Sequence, residues 1–288
     1  MSLDQLKRVA RSQLIRAFSP KVLQDLMQFG ESRRVDEARE SLGQFGLISS
    51  EASLAEVFER AYSVLLRVYP GEYVLLNECL CREMAACSER VGIYRELAVG
   101  TSKADLAIFS AGESSGFEIK SRFDRLDRLR AQLESYQQVF TRTYVVTQQS
   151  HASKVLDQSP ATVGVLSVSG EGIQTLRPAT ENPDLLCPNR QFALLRKPEY
   201  LQLIEAEFGA APELPNTRIY RACLALFESI DPARAQALVS DILRRRQSRP
   251  PDDQDMSWRL PRSLRALVLS GKLDQAELLK LSTLMDEP

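Results

Sequence analysis

Three ionisable residues interrupt otherwise apolar, strand-like segments near the middle of the chain. Asp105 lies in the segment 101–109, and Glu118 and Lys120 lie in the segment 116–121. Charged side chains in such segments are costly unless a partner compensates them. Two carboxylates can hold a hard divalent cation that keeps positions open for water and phosphate, and a neighbouring lysine can orient or deprotonate that water. These residue types point to metal-dependent hydrolysis of a phosphodiester.

The spacing of these residues predicts that they meet. Glu118 and Lys120 share a face because side chains repeat every two residues along a strand. The backbone carbonyl of Ile119, between them, offers a third oxygen ligand. Asp105 comes from the preceding strand and can reach the same face, although the length of the intervening loop leaves the register open.

A helix is predicted to follow and to support this face. Its start is predicted at residues 121–124, which read Ser-Arg-Phe-Asp. Gln132 and Tyr136 lie four residues apart and therefore share a helix face, from which they can position phosphate or hold Lys120. The buried stripe of this helix is predicted from apolar residues at spacings of three and four: Leu126, Leu129, Leu133, Tyr136 and Phe140.

Composition narrows the chemistry further. The chain has one histidine, His151, so sites built on several histidines are excluded and an enzyme here would rely on carboxylates and lysine. Five cysteines without a CxxC pair favour reduced thiols over a zinc site, which predicts a cytoplasmic setting. The formal net charge of −1 means that any nucleic-acid surface must be local. No signal peptide or membrane span is expected.

The patterns divide the 288 residues into three predicted parts. Residues 1–50 form an N-terminal helical extension, residues 51–180 form an α/β core, and residues 181–288 form a C-terminal helical region. Within the core, a helix from Glu72 to about residue 87 precedes the strands, and Glu72 sits where a carboxylate favours the helix dipole. The strands are predicted at residues 93–99, 104–109, 117–121, 144–147, 163–168 and 173–176. The third and fourth should pair in parallel across the intervening helix.

The ordered set of residues resembles a known superfamily. Asp105, then Glu118-Ile119-Lys120, then Gln132-x-x-x-Tyr136 is similar to the PD-(D/E)XK nucleases, and the Gln-x-x-x-Tyr element is RecB-like. The wider run from residue 95 to residue 140 is similar to a group of bacterial nuclease-like proteins of mostly unassigned role. The resemblance covers residues 70 to 180.

The resemblance implies a restriction-endonuclease-like core of order α-β-β-β-α-β with a central mixed sheet. It also implies Mg²⁺-dependent cleavage of DNA, with Mn²⁺ able to substitute. On that pattern Asp105 and Glu118 match the metal ligands and Lys120 matches the catalytic lysine. The supporting motif matches Gln132 and Tyr136, and the helical acidic residue matches Glu72, with Glu96 as a rival; Ala104 stands where a proline is usual.

Other readings of the same residues stay open at this point. Glu118 and Lys120 can form an ordinary ion-paired strand face. The chain can be a non-catalytic nucleic-acid-binding or assembly protein that keeps the nuclease fold, or a nuclease that acts on RNA. The helical flanks can serve a homodimer or a partner protein, and the basic cluster at residues 244–246 can contact a nucleic-acid backbone. Among phage defence, mobile-element control and repair, phage defence is the setting we predict.

Overall fold

Segments rich in β-branched and aromatic residues form the strands of one mixed sheet. The structure, a computed structural model, describes residues 3–249, 256–271 and 273–287. Its strands are β1 (Val91–Val99), β2 (Ser102–Phe109), β3 (Ser114–Lys120), β4 (Arg142–Gln148), β5 (Gly164–Ser169), β6 (Gly172–Arg177) and β7 (Ser248–Arg249).

The strand order across the sheet is β6-β5-β4-β3-β2-β1-β7. β1, β2 and β3 form an antiparallel meander, whereas β3, β4 and β5 run parallel. The predicted parallel pairing of the third and fourth strands is confirmed, because β3 and β4 run parallel and place Glu118 opposite Val145. The predicted hairpin of the fifth and sixth strands is also confirmed. The fold is therefore α/β with a mixed central sheet.

Helices precede, cover and follow the sheet. They are α1 (Leu3–Ser12), α2 (Pro20–Phe29), α3 (Arg33–Gln44), α4 (Leu54–Val68), α5 (Glu72–Ala86), α6 (Leu129–Gln137), α7 (Ala152–Gln158), α8 (Pro188–Phe192), α9 (Lys197–Phe208), α10 (Asn216–Phe227), α11 (Pro232–Arg246), α12 (Arg265–Gly271) and α13 (Gln275–Met285). No helix in the described ranges is both long enough and apolar enough to cross a bilayer.

The two faces of the sheet bury different helices, because successive strand residues point to opposite sides. On one face, Phe109 and Val145 share a core with residues of α6 and of α8 to α11. On the other face, Phe117 and Val146 pack with α5 and with Ala266 of α12. All five residues of the predicted apolar stripe are buried, but only Leu129, Leu133 and Tyr136 lie in α6; Leu126 precedes this helix and Phe140 follows it.

A third core joins the two ends of the chain. It contains buried residues of α1, α2 and α3 together with α4, and it also takes in Leu267 of α12 and Leu281 of α13. The predicted helical extensions at the two termini therefore pack on each other as well as on the sheet domain. The division of the chain at residues 50 and 180 stays a prediction.

A buried carboxylate fixes the C-terminal segment onto α5. Glu78 is 2% exposed and accepts hydrogen bonds from the Arg262 guanidinium at 2.6 and 2.9 Å. The Tyr62 hydroxyl of α4 donates to the same carboxylate at 2.8 Å. Asn77 donates to the backbone carbonyl of Arg262 at 3.0 Å. Because burial of an unpaired carboxylate is costly, the segment at Arg262 must stay in place for α5 to remain packed.

The predicted helix start at residues 121–124 is wrong. The Asp124 carboxylate accepts both the backbone N–H and the hydroxyl of Ser121, each at 2.7 Å, which closes a turn in place of a helix. α6 begins only at Leu129. A Ser and an Asp three residues apart suit a cap and a closed turn equally well, so the pattern could not separate the two.

We predict that Arg262→Ala destabilises the protein by about 2 kcal/mol, because it leaves Glu78 buried with one neutral donor. This is less than a fully buried pair would cost, since the Arg262 side chain is 45% exposed. Urea unfolding followed by circular dichroism measures the change. The matched control is Arg33→Ala, which removes an exposed pair with Glu37 and should shift stability by less than about 0.5 kcal/mol. Equal stability of the two variants would contradict the assigned role of Arg262.

Candidate functional site

The candidate site lies where the β2–β3 ladder stops. Regular pairing ends with Leu106 opposite Phe117, although both strands continue. Extension of that register places Asp105 opposite Glu118. Here the Asp105 carboxylate accepts the backbone N–H of Ile119 at 2.7 Å. The Asp105 side chain thus takes the place of the backbone carbonyl that would accept this N–H in a regular sheet, so the buried N–H of Ile119 is satisfied. Regular backbone pairing of β2 with β3 is absent at these positions, and side chains occupy them instead.

Glu118 is the buried centre of the site, at 2% exposure. Its Oε1 accepts the Lys120 ammonium at 2.6 Å and the Gln132 amide at 2.7 Å, and its Oε2 accepts the Tyr136 hydroxyl at 2.5 Å. One positive charge and two neutral donors compensate the burial of this carboxylate. The structure therefore brings together four of the residues predicted to meet here.

Helix α6 supplies two of these donors from one face, as the spacing predicts. Its buried leucines, Leu129 and Leu133, anchor it against the sheet. The Tyr136 hydroxyl also contacts the backbone carbonyl of Lys103 on β2. Because a phenol carries one proton, β2 and Glu118 compete for it. Burial first, and then the charge of Glu118, raise the pKa of Tyr136 well above its ordinary value, so the phenol stays protonated.

Lys120 is held by its backbone as well as by its ammonium. Its side chain is 13% exposed, and its carbonyl accepts the Thr147 hydroxyl of β4 at 2.6 Å. The parallel register places Lys120 opposite Thr147. The sequence analysis missed this contact. It fixes Lys120 to β4, the strand that follows α6 in the chain.

The Asp105 carboxyl has a pKa raised to about 7. Burial is the largest cause, and the negative charge of Glu118 is the next; Glu72 adds to both. The Ile119 N–H and the Lys120 ammonium act in the opposite direction and do not balance them. The site thus holds more negative charge than its lysine neutralises.

Glu72 is the first residue of α5, where it favours the helix dipole, and it is exposed. Its charge nevertheless contributes to the raised pKa of Asp105. Glu72 and Glu96 both line a cavity of about 1200 Å³ beside the sheet edge.

Glu96 interrupts β1 beside the site. The pairs Arg95–Leu106 and Leu97–Ala104 place Glu96 opposite Asp105, but its φ of 51° takes it out of the ladder. A non-glycine residue in this region of φ is strained, and such residues cluster at functional sites. The Glu96 carboxylate, 68% exposed, pairs with the Lys103 ammonium at 3.7 Å.

The donor set suits a hard divalent cation. Asp105 and Glu118 contribute carboxylate oxygens, as magnesium prefers, and their mutual repulsion is what a cation relieves. The buried Gln132 Oε1 has no hydrogen-bond partner among the described residues. Within those same residues, no group of three or more His, Cys, Asp or Glu side chains is arranged as a metal site. The carbonyl of Ile119 and the carboxylate of Glu72 would have to complete the shell, and metal binding stays a prediction.

The basic cluster at residues 244–246 is occupied by protein carboxylates. Arg244 and Arg245 both pair with Asp241 of the same helix. Arg246 is largely buried in an ion pair with Glu199. These arginines therefore stabilise α11 and its packing on α9, and the density of arginine in the sequence is not a measure of free charge.

Comparison with known proteins gives one family match. A family model described as "Bacteriophage P4 protein cII" matches residues 73–257, more than half of the chain. Among solved structures, the SPO1766 protein of unknown function from Silicibacter pomeroyi is similar at 20% identity, with a TM-score of 0.32, over 47% of this chain and 90% of that chain. No curated protein matches.

We predict that Asp105→Asn stabilises the protein at pH 8 and has little effect near pH 4. The folded-state pKa of about 7 lies above the ordinary value of 3.8, so the folded protein binds the extra proton and wild-type stability falls as pH rises between these values. The gain should be on the order of 1.4 kcal/mol per unit of pKa shift. Urea unfolding in EDTA at both pH values measures it. A gain that does not depend on pH would contradict the assignment.

Proposed function

The chain belongs to the bacteriophage P4 protein cII family, and we propose that it is a metal-dependent deoxyribonuclease with a restriction-endonuclease-like core. The observation that carries the proposal is the meeting of Asp105, Glu118 and Lys120 where the β2–β3 ladder stops. The order α5-β1-β2-β3-α6-β4 supports the same core. The family resemblance of the sequence favours DNA as the substrate.

The proposed roles follow from the position of each group. Asp105 and Glu118 would hold Mg²⁺, or Mn²⁺ in its place, together with the Ile119 carbonyl; the cation would supply Lewis acidity at the phosphate. Lys120, held between Glu118 and β4, orients water and stabilises developing charge.

The supporting residues keep that lysine and carboxylate in one geometry. Gln132 and Tyr136 fix the two oxygens of Glu118 from α6. Tyr136 also ties the carboxylate to β2, because its hydroxyl contacts the Lys103 carbonyl. Preorganised donors of this kind lower the cost of rearrangement during the reaction.

A second candidate, a non-catalytic nucleic-acid-binding or assembly protein, is favoured by a different observation. Both oxygens of Glu118 already accept hydrogen bonds from protein donors, so a structural role accounts for this buried carboxylate. Binding of DNA or RNA without cleavage, unchanged by Mg²⁺ and by Lys120→Ala, would support this candidate against the nuclease. The predicted setting in phage defence stays a prediction.

We predict that the protein nicks supercoiled plasmid or degrades single-stranded DNA in Mg²⁺ or Mn²⁺ and not in EDTA. Lys120→Ala should lower the rate at least about 100-fold, because it removes the group that orients water. The matched control Lys154→Ala removes an exposed lysine on α7 and should cleave at the wild-type rate. An RNA strand assayed in parallel decides the substrate class. Wild-type cleavage by purified Asp105→Asn protein would refute the proposal.

We also predict that Glu72→Gln lowers metal-dependent activity about 10- to 100-fold, as loss of a supporting ligand does. Its charge reaches Asp105, whereas Glu96 is turned toward Lys103. Glu96→Gln is the matched comparison and should retain activity within about twofold. Rates at several Mg²⁺ concentrations measure both variants. The reverse pattern would assign the role to Glu96.

A further inference from the structure

A small cleft beside the candidate site combines positive charge with aromatic rings. The N-terminal helix α1 provides Lys7, Arg8 and Arg11 to it, and the turn after β3 provides Arg122 and Phe123. Tyr69 lines its floor, and the cleft has a volume of about 480 Å³. Four cations thus face one acidic residue, Asp4, among the described residues that line this basic–aromatic cleft. In a chain of net charge −1, such an excess is local.

The cations of this cleft differ from the other basic clusters because their charge is free. Within the described ranges, none of Lys7, Arg8, Arg11 and Arg122 forms an ion pair. All four are exposed. Unpaired, exposed cations on one concave surface are suited to successive phosphate groups.

The aromatic rings add a surface on which a base can stack. Phe123 is 53% exposed, although it lies next to a buried site. Its ring centroid lies 5.6 Å from that of Tyr69, and the guanidinium carbons of Arg122 and Arg11 lie 4.6 and 5.9 Å from its centre. An exposed aromatic ring with guanidinium groups near it matches the way in which proteins hold single-stranded nucleic acid.

The cleft lies close to Lys120 along the chain. Arg122 follows Lys120 by two positions, so their Cα atoms are within about 7.6 Å of each other. Tyr69 lines both this cleft and the larger cavity that contains Glu72. The closed turn at residues 121–124 creates this arrangement, because a helix beginning there would have directed Arg122 and Phe123 differently.

We infer, building on the proposed function, that the basic–aromatic cleft binds a single strand of the nucleic-acid substrate and leads it to Lys120. Phosphates contact Arg11 and Arg122, and a base stacks on Phe123. The N-terminal helix α1, which carries no chemistry of its own in the sequence, is thereby part of the substrate surface. The same charge would also suit an acidic peptide, but the exposed ring with guanidinium groups near it favours a strand with bases.

The test is binding of a fluorescein-labelled oligothymidylate of about 16 nucleotides, measured by anisotropy in EDTA with full-length Lys120→Ala protein. Addition of Arg11→Gln and Arg122→Gln should weaken binding at least about tenfold and lower the salt dependence of log K by about 1.4. The matched control, Arg33→Gln with Arg130→Gln, removes two exposed cations that are ion-paired and should change binding less than about twofold.

A second variant tests the aromatic part of the cleft. Phe123→Ala should weaken binding about tenfold, whereas Phe29→Ala, which removes a similarly exposed ring far along the sequence, should not. Equal binding by the cleft variants and their controls would overturn the inference. Tighter, cleft-dependent binding of polyglutamate than of oligothymidylate would also overturn it, in favour of an acidic protein partner.

The outcomes separate this inference from the proposed function. If the protein binds the oligonucleotide through the cleft but never cleaves it, the inference about the cleft holds and the proposed nuclease activity is refuted. If the three cleft substitutions leave metal-dependent cleavage unchanged, the proposed nuclease activity stands and the inference about the cleft is refuted.

Discussion

One hydrogen bond, from the Ile119 N–H to the Asp105 carboxylate, determines how the centre of this protein is built. A strand N–H in a buried position must find an acceptor, and here a side chain from the neighbouring strand provides it. Glu118 consequently lies beside Asp105, buried, and needs its own donors. Helix α6 provides two of these donors, Gln132 and Tyr136, and Lys120 provides the third. The helix that connects β3 to β4 is therefore needed to compensate the buried charge of Glu118.

The periodic features of this centre could be predicted from the sequence. A strand repeat of two placed Glu118 and Lys120 on one face, and the helical spacing placed Gln132 and Tyr136 against them. The strands and their parallel pairing followed from the same patterns because repeated apolar contacts fix them. Features that depend on a single side chain could not be predicted from these patterns. The β2–β3 register, the contact of Thr147 with the Lys120 carbonyl and the positive φ of Glu96 have no periodic signal.

The location of unpaired positive charge could likewise be predicted only in part from the sequence. The densest run of arginines in the sequence, at residues 244–246, is paired with Asp241 and Glu199. The four cations that line the basic–aromatic cleft instead come from α1 and from the turn after β3, two segments far apart along the chain. Only folding brings them together, and the turn itself was predicted as a helix start. Ion pairing across the fold, which composition does not record, therefore decides which of these cations keep an unpaired charge.

The excess of carboxylates over lysine at the centre has a definite physical consequence. Asp105 has a pKa of about 7 because burial disfavours its charged form and because the charges of Glu118 and Glu72 oppose its ionisation. A proton relieves that repulsion at lower pH, and a divalent cation would relieve it at higher pH, at the same oxygens. The structural strain of the site and its proposed chemistry thus have one origin. The carboxylates that make the folded chain less stable above neutral pH are those that would give it affinity for a metal.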